Sequence, residues 1–173
     1  MKISRTITGF ALGLTTAAVL WIGTGGLADD SHYPGASPGK EHAFLEKFVG
    51  TWEVSSPMGT GVETATLTCG GLWLVSDFKG SMMGQDFSGH GIMGYDPEKK
   101  KYVGVWVDSM QAHLSTSEGE VDPTGKVFTA VADEMKMIDQ FTDDDTREFS
   151  MIAPGPDGQE ATVMTLTYKR KKS

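Results

Sequence analysis

From Thr51 onward the chain is a succession of short runs rich in Val, Thr, Phe, Tyr and Trp, broken by turn residues about every 8 to 12 positions. That rhythm leaves no room for long helices and points to an antiparallel β domain. The runs predict strands at Thr51–Ser56, Val62–Thr68, Leu72–Lys79, Asp86–Gly94, Lys101–Asp108, His113–Val121, Lys126–Ala132, Lys136–Thr142, Thr146–Ala153 and Ala161–Lys169. The breaks have mechanisms: Asp96-Pro97 and Asp122-Pro123-Thr124-Gly125 suit type I turns, Gly70-Gly71 frees φ, and Pro156-Asp157-Gly158 reverses the chain. Short turns pair sequence neighbours, and a meander of about ten strands leaves two unpaired edges unless it closes. The expectation is therefore an all-β fold: one antiparallel up-and-down β-barrel. A two-sheet sandwich is second, because it needs longer crossovers.

Ahead of the strands, residues 1–28 have the form of a signal peptide. Lys2 and Arg5 precede an apolar stretch, Ile7 to Ile22, and small residues at Gly26-Leu27-Ala28 mark a cleavage point. The stretch is shorter than the ~20 residues of a spanning helix and is diluted by glycine, so cleavage is expected rather than stable membrane insertion. No Cys or Arg-Arg pair stands near it, which indicates a Sec-type route to the periplasm or the medium. Residues 29–39 read as a flexible leader, and Phe44, Leu45, Phe48 and Val49 predict a short amphipathic helix within Lys40 to Val49. The barrel domain occupies 40–170, with a basic tail at 171–173. Cys69 is the single cysteine, so no intramolecular disulfide forms and packing must supply the stability. Removal of Lys2 and Arg5 leaves 13 basic side chains against 23 acidic ones, a net charge of −10. Such a charge disfavours nucleic acid and anionic membrane surfaces as partners.

Gly50-Thr51-Trp52, after the helix and at the head of the first strand, resembles the Gly-x-Trp signature of lipocalins and other calycins. The resemblance implies that Trp52 closes the barrel base beneath a basic side chain of the last strand, and Arg170 is the residue expected there. A longer segment, Met83-Gly84-Gln85-Asp86-Phe87-Ser88-Gly89-His90-Gly91-Ile92-Met93-Gly94-Tyr95-Asp96, followed by Lys101-Tyr102-Val103 and Trp106-Val107-Asp108-Ser109-Met110, resembles an uncharacterised bacterial family. That family is the domain of unknown function numbered fifteen seventy-nine. The likeness runs from about His42 to Tyr168 and implies a lipocalin-like barrel, without a reaction, ligand or catalytic set. The stretch between Gly125 and Phe149 is shorter than the family pattern, which predicts a tight hairpin for the seventh and eighth strands.

Few residues carry chemistry. Gly89-His90-Gly91-Ile92-Met93-Gly94 fits the dinucleotide string G-x-G-x-x-G, but Tyr95-Asp96-Pro97 follows where a helix is required, so the glycines mark bulges or close backbone approach. His90 and His113 fall in predicted strands and would be axial haem or metal ligands if they pointed inward; no Cys/His spacing supports a zinc site. Asp143-Asp144-Asp145 lacks the alternating ligands of a calcium loop and reads as a hairpin turn. Asp108, Ser109, His113 and Ser115 have the residue types of a hydrolytic triad without its framing sequence, so no catalytic residue is assigned.

Arg147 shares a strand face with Phe149 and Met151 and is expected to point into the barrel. There it would hold a ligand carboxylate or form an internal salt bridge. Eight methionines within or beside strands, Met82, Met83, Met93, Met110, Met135, Met137, Met151 and Met164, suit a deformable pocket lining. They suit copper(I) only if several thioethers converge, and only Met82-Met83 and Met135/Met137 are close in sequence. The candidate ligand-binding residues are thus Arg147, Phe149, Met151, His90 and His113, with Trp52 and Arg170 structural. The expected function is binding of a small apolar or amphipathic molecule, without a cofactor. A haem protein or enzyme with its site at the barrel mouth, and an interaction protein with a packed barrel, are the alternatives.

Overall fold

A computed structural model describes residues 37–155 and 157–172. The expected signal peptide and residues 29–36 of the leader lie outside the described residues. Ten strands follow in order: β1 Gly50–Ser56, β2 Gly59–Thr68, β3 Trp73–Met82, β4 Gln85–Asp96, β5 Lys101–Asp108, β6 Ser115–Val121, β7 Val127–Ala132, β8 Met135–Asp143, β9 Thr146–Pro154 and β10 Glu160–Arg170. Each pairs antiparallel with its sequence neighbours, and β1 pairs with β10, so the sheet closes into an up-and-down barrel. Every predicted strand is present.

The departures lie at turns. β3 and β4 run on to Met82 and Gln85 because Met83 and Gly84 both take positive φ (52° and 76°), the two-residue turn whose twist matches a hairpin. β1 and β2 extend similarly to the Ser56 and Gly59 pair. The seventh and eighth strands form the predicted tight hairpin, with Ala132 opposite Met135 and Asp133 at φ 52°. Asp144 and Asp145 form the turn between β8 and β9, as expected for a hairpin.

The predicted N-terminal helix is a 3-10 helix at His42–Phe48. Seven residues make a short tight segment rather than an extended α-helix. Its Phe44, Leu45 and Phe48 are buried as their spacing implied. They plug one end of the barrel, where the Phe44 ring packs edge-on against Tyr102 and Phe141 and the Phe48 ring against Phe128. The Tyr102 hydroxyl donates to the Glu41 carbonyl at 2.7 Å and ties the helix to β5. That phenol is pushed up to about 12, by burial first and by the Glu41 charge second.

The glycines of β4 are seats for tryptophan. A Cβ on Gly89 would lie 2.2 Å from the Trp106 ring, so the indole occupies that space on the inner face. Trp73 lies on the outer face against Gly94, because its neighbour Leu74 takes the inward position. The pairings Trp106 to Gly91 and Trp73 to Gly94 are register partners across β5, β4 and β3.

Candidate functional site

Two ends of the barrel differ. At the helix end, Trp52 is fully buried, and its indole Nε1 donates to the Phe48 carbonyl at 2.8 Å. Arg170, its register partner on β10, lies with its guanidinium 4.0 Å from the Trp52 ring. That guanidinium also donates to the Val49 carbonyl, to Lys47 at 3.0 Å and to Asp144 at 3.0 Å. The expected Trp52 and Arg170 contact is thus present, and it does more than stack. Arg170 ties the end of the 3-10 helix to the β8–β9 turn. Beyond it the Lys171 amide still donates to the Thr51 carbonyl, so the basic tail begins pinned to β1.

Inside, Arg147 points into the barrel as predicted and is buried. Its two terminal nitrogens donate to Asp139 and Glu63, both buried, and its guanidinium stacks 3.6 Å from the Tyr168 ring. Of the two expected roles it has the internal salt bridge. It is not free to take a ligand carboxylate, since both terminal nitrogens are occupied and the two acids more than neutralise it. Only Nε lacks a partner. Burial pushes both Glu63 and Asp139 above the ordinary carboxylate range, against the pull of Arg147. Burial alone would lower the guanidinium, but Asp139 and Glu63 outweigh it and hold it above its ordinary value. Tyr168 is likewise pushed up by burial.

At the far end no helix of the described residues covers the barrel. Strand alternation and register carry Phe87, Trp106, Met137, Phe149, Met151 and Met164 to the inner face, yet all six stay half-buried. Inward residues nearer the helix, such as Trp52, Tyr102 and Phe141, are buried. Leu67, Met93 and Tyr95 at the helix end are half-buried too, so what distinguishes the far end is that no helix of the described residues lies across it; this end is called the cup. Beneath it lie Val54, Phe78 and Leu166, buried one register step from the charged cluster. Phe149 and Met151 line this cup, as their shared face with Arg147 implied.

The histidines require correction. His90 lies on the outer face of β4, because its neighbours Gly89 and Gly91 take the inward positions; it is exposed, with Nδ1 2.5 Å from an Asp77 carboxylate oxygen. His113 is exposed in the loop before β6, which starts at Ser115 rather than His113. Asp108 accepts hydrogen bonds from Trp106, Gln111 and the Met110 amide, and these bonds end β5 and shape that loop. His90 thus does not face the cup, whereas His113 lies in the loop at that end of the barrel.

Sequence reasoning missed Glu63 and Asp139. Asp139 was findable, since it alternates with Met135, Met137 and Phe141 on one face. Glu63 is in phase with inward Ala65 and Leu67, but the exposed Val62 beside it reverses the hydropathy locally and masks it. Among the described residues no group of three or more His, Cys, Asp or Glu side chains could hold a metal ion.

A family model described as "Protein of unknown function (DUF1579)" matches residues 37–170. No curated protein matches the chain. Among solved structures, an S-type phycobiliprotein lyase, CPES from Guillardia theta, is similar at 16% sequence identity and a TM-score of 0.52, over 77% of this chain and 93% of that one. At that identity the likeness concerns the fold, a calycin-like barrel.

Proposed function

The chain belongs to the DUF1579 family, of unknown function, and from that premise we propose that it is an exported binding protein that takes a small apolar or amphipathic molecule into the open end of its barrel. The observation behind this reading is the contrast between the ends: one is sealed by Phe44, Leu45, Phe48 and Trp52, and at the other inward thioethers and aromatic rings stay in reach of solvent. Leaving such side chains half-wet costs about 25 cal/mol per Å² of apolar surface that a filled interior would have hidden. A ligand that covers them recovers that energy. The walls are soft and apolar, which favours binding over turnover.

The cluster around Arg147 narrows the ligand. Its two carboxylates exceed its one cation, so the floor of the cup presents no net positive charge to an anionic headgroup. A neutral or weakly polar molecule fits better than a fatty-acid carboxylate. The likeness to a phycobiliprotein lyase is compatible with a small-molecule role and names no ligand for this chain.

The test is native mass spectrometry of the protein isolated from its own exported fraction, paired with displacement of a neutral environment-sensitive fluorophore. A one-to-one mass increment that vanishes on denaturation, and saturable fluorophore uptake quenched by Trp106, are expected. An empty protein that takes up neither neutral nor amphipathic probes refutes the reading. A second reading, docking of another protein, draws on the outer apolar strip Trp73, Val75, Ile92, Val105 and Val107, where Ile92 and Val107 are exposed.

A further inference from the structure

We propose that Met137, Met151 and Met164 form a three-thioether site for a soft monovalent metal ion, copper(I), on the inner wall of the cup. The ladder makes the case. Met137 on β8 lies directly opposite Met151 on β9, and Met151 lies directly opposite Met164 on β10. Three methionines from three adjacent strands thus stand side by side in one row. Directly opposed residues have Cβ atoms about 4.5–5.5 Å apart, so three flexible thioether arms share one small volume. The sequence separates these residues by 14 and 13 positions, and only the register joins them.

The row is held yet reachable. Met137 and Met164 pack against the hydrophobic core, and all three are half-buried at the open end. A β-bulge at Val163 interrupts the β9–β10 ladder immediately beyond Met164 and turns the Val163 side chain out to solvent, half exposed at 50%. Bulges of this kind commonly re-aim side chains beside functional sites.

The donor set selects the ion. Thioether sulfur is neutral and soft, which suits copper(I) and disfavours calcium, magnesium and manganese, whose ligands are oxygens. The inward neighbours along the row are Phe149, Leu166 and Ala130, with the buried Asp139, already held by Arg147, next to Met137 on β8, so a single positive charge is the least costly to bring in. Thioethers also need not lose a proton to bind, unlike cysteine or histidine, so affinity at this site is independent of pH between 5 and 8. The inference goes beyond apolar ligand binding and does not depend on it.

Cys69 is exposed in the β2–β3 connection, at the helix end of the barrel, and as a thiol it competes for the same ion; the test therefore uses the Cys69→Ser protein. Copper(I) is titrated anaerobically against a chromophoric copper(I) chelator, and silver(I), a redox-inert substitute, is followed by NMR of 13C-methyl methionine. Expected are one equivalent bound, an affinity flat with pH, and joint shifts of the Met137, Met151 and Met164 methyls, with Met93 unmoved. The M137L/M151L/M164L variant loses about a hundredfold or more in affinity, with its thermal melt retained because Leu and Met have similar volumes. Should that variant fail to fold, M151L alone removes the central sulfur and weakens binding about tenfold or more. No uptake, undiminished uptake by either variant, or shifts confined to exposed Met83 and Met110 would overturn the site. Uptake of the neutral fluorophore measured on the same samples separates that failure from failure of the cup.

Discussion

Replacement of Arg147 by Met tests the charged cluster most directly. Met fills much of the volume but removes the guanidinium, so Glu63 and Asp139 are left buried without their cation, and Tyr168 loses a stacking partner 3.6 Å away. Breaking a buried pair by deleting one partner costs about 3–5 kcal/mol, a large share of the roughly 5–15 kcal/mol that holds a domain folded. The penalty depends on pH with a definite sign. Both carboxylates already have folded values above their unfolded ones, 4.5 for Glu63 and 3.8 for Asp139, so stability falls as pH rises from those values through the folded ones. Without Arg147 the folded values rise further, because its attraction no longer opposes burial. The cost of R147M is therefore full at neutral pH and shrinks toward pH 4. Urea unfolding followed by tryptophan fluorescence at pH 7 and pH 4.5 measures it. Adding E63Q and D139N, which remove the unpaired charges, recovers part of the loss at pH 7. A cost below about 1 kcal/mol at pH 7, or one that grows on acidification, refutes the account.

Three further outcomes are expected. R170A removes a guanidinium stacked on Trp52 and three carbonyl contacts; the stack alone is worth about 0.5–2 kcal/mol, so the melt falls and tryptophan emission shifts, whereas an unchanged spectrum counts against the clasp. G89A places a methyl 2.2 Å from the Trp106 ring and costs about 1–3 kcal/mol by overpacking; near-ultraviolet circular dichroism detects the displaced indole, and a wild-type spectrum with wild-type stability refutes the seat. Asp122 is lowered to about 2, by the Thr124 hydroxyl first and the Val127 amide next, so its stabilising contribution is full above the ordinary carboxylate range and is lost as pH falls through about 2. A carboxyl 13C titration that places Asp122 near 4 would contradict the turn geometry.

The barrel was legible because its cues are local. Turn residues and β-rich runs located all ten strands, and the Gly-x-Trp resemblance, with the position of Arg170 at the end of the last strand, paired Trp52 with Arg170. Arg147 was legible as inward because Phe149 and Met151 alternate with it. Of its partners, Asp139 shares a face with Met137 and Phe141, whereas Glu63 lies 84 residues away and is masked by its apolar, exposed neighbour Val62. His113 was misplaced by two residues, a shift that moved it from strand to loop. His90 was misjudged for a different reason: its glycine neighbours give no sign of which face is inside until Trp106 is placed across them.

The same reasoning explains why the cup is the part of the molecule that sequence leaves dark. A wall built from β8, β9 and β10 depends on two registers at once, and a slip of one residue in β9 would turn Met151 and Phe149 outward and bring Ser150 and Ile152 in. What pins that register is the buried cluster, because Arg147 reaches Asp139 on β8 and Glu63 on β2 only when β9 sits as it does. A net cost in desolvation at the cluster is thus coupled to the ordering of the wall above it. Loosening the cluster should also reach the sealed end, because the Arg147 guanidinium lies 5.1 Å from the Phe48 ring and 5.3 Å from the Trp52 ring, and Glu63 is the register partner of Trp52. In R147M, amide exchange should therefore quicken in β8, β9, β1 and β2 ahead of β4 and β5, and acceleration confined to β8 and β9 would mean that Arg170 alone holds Trp52 in place.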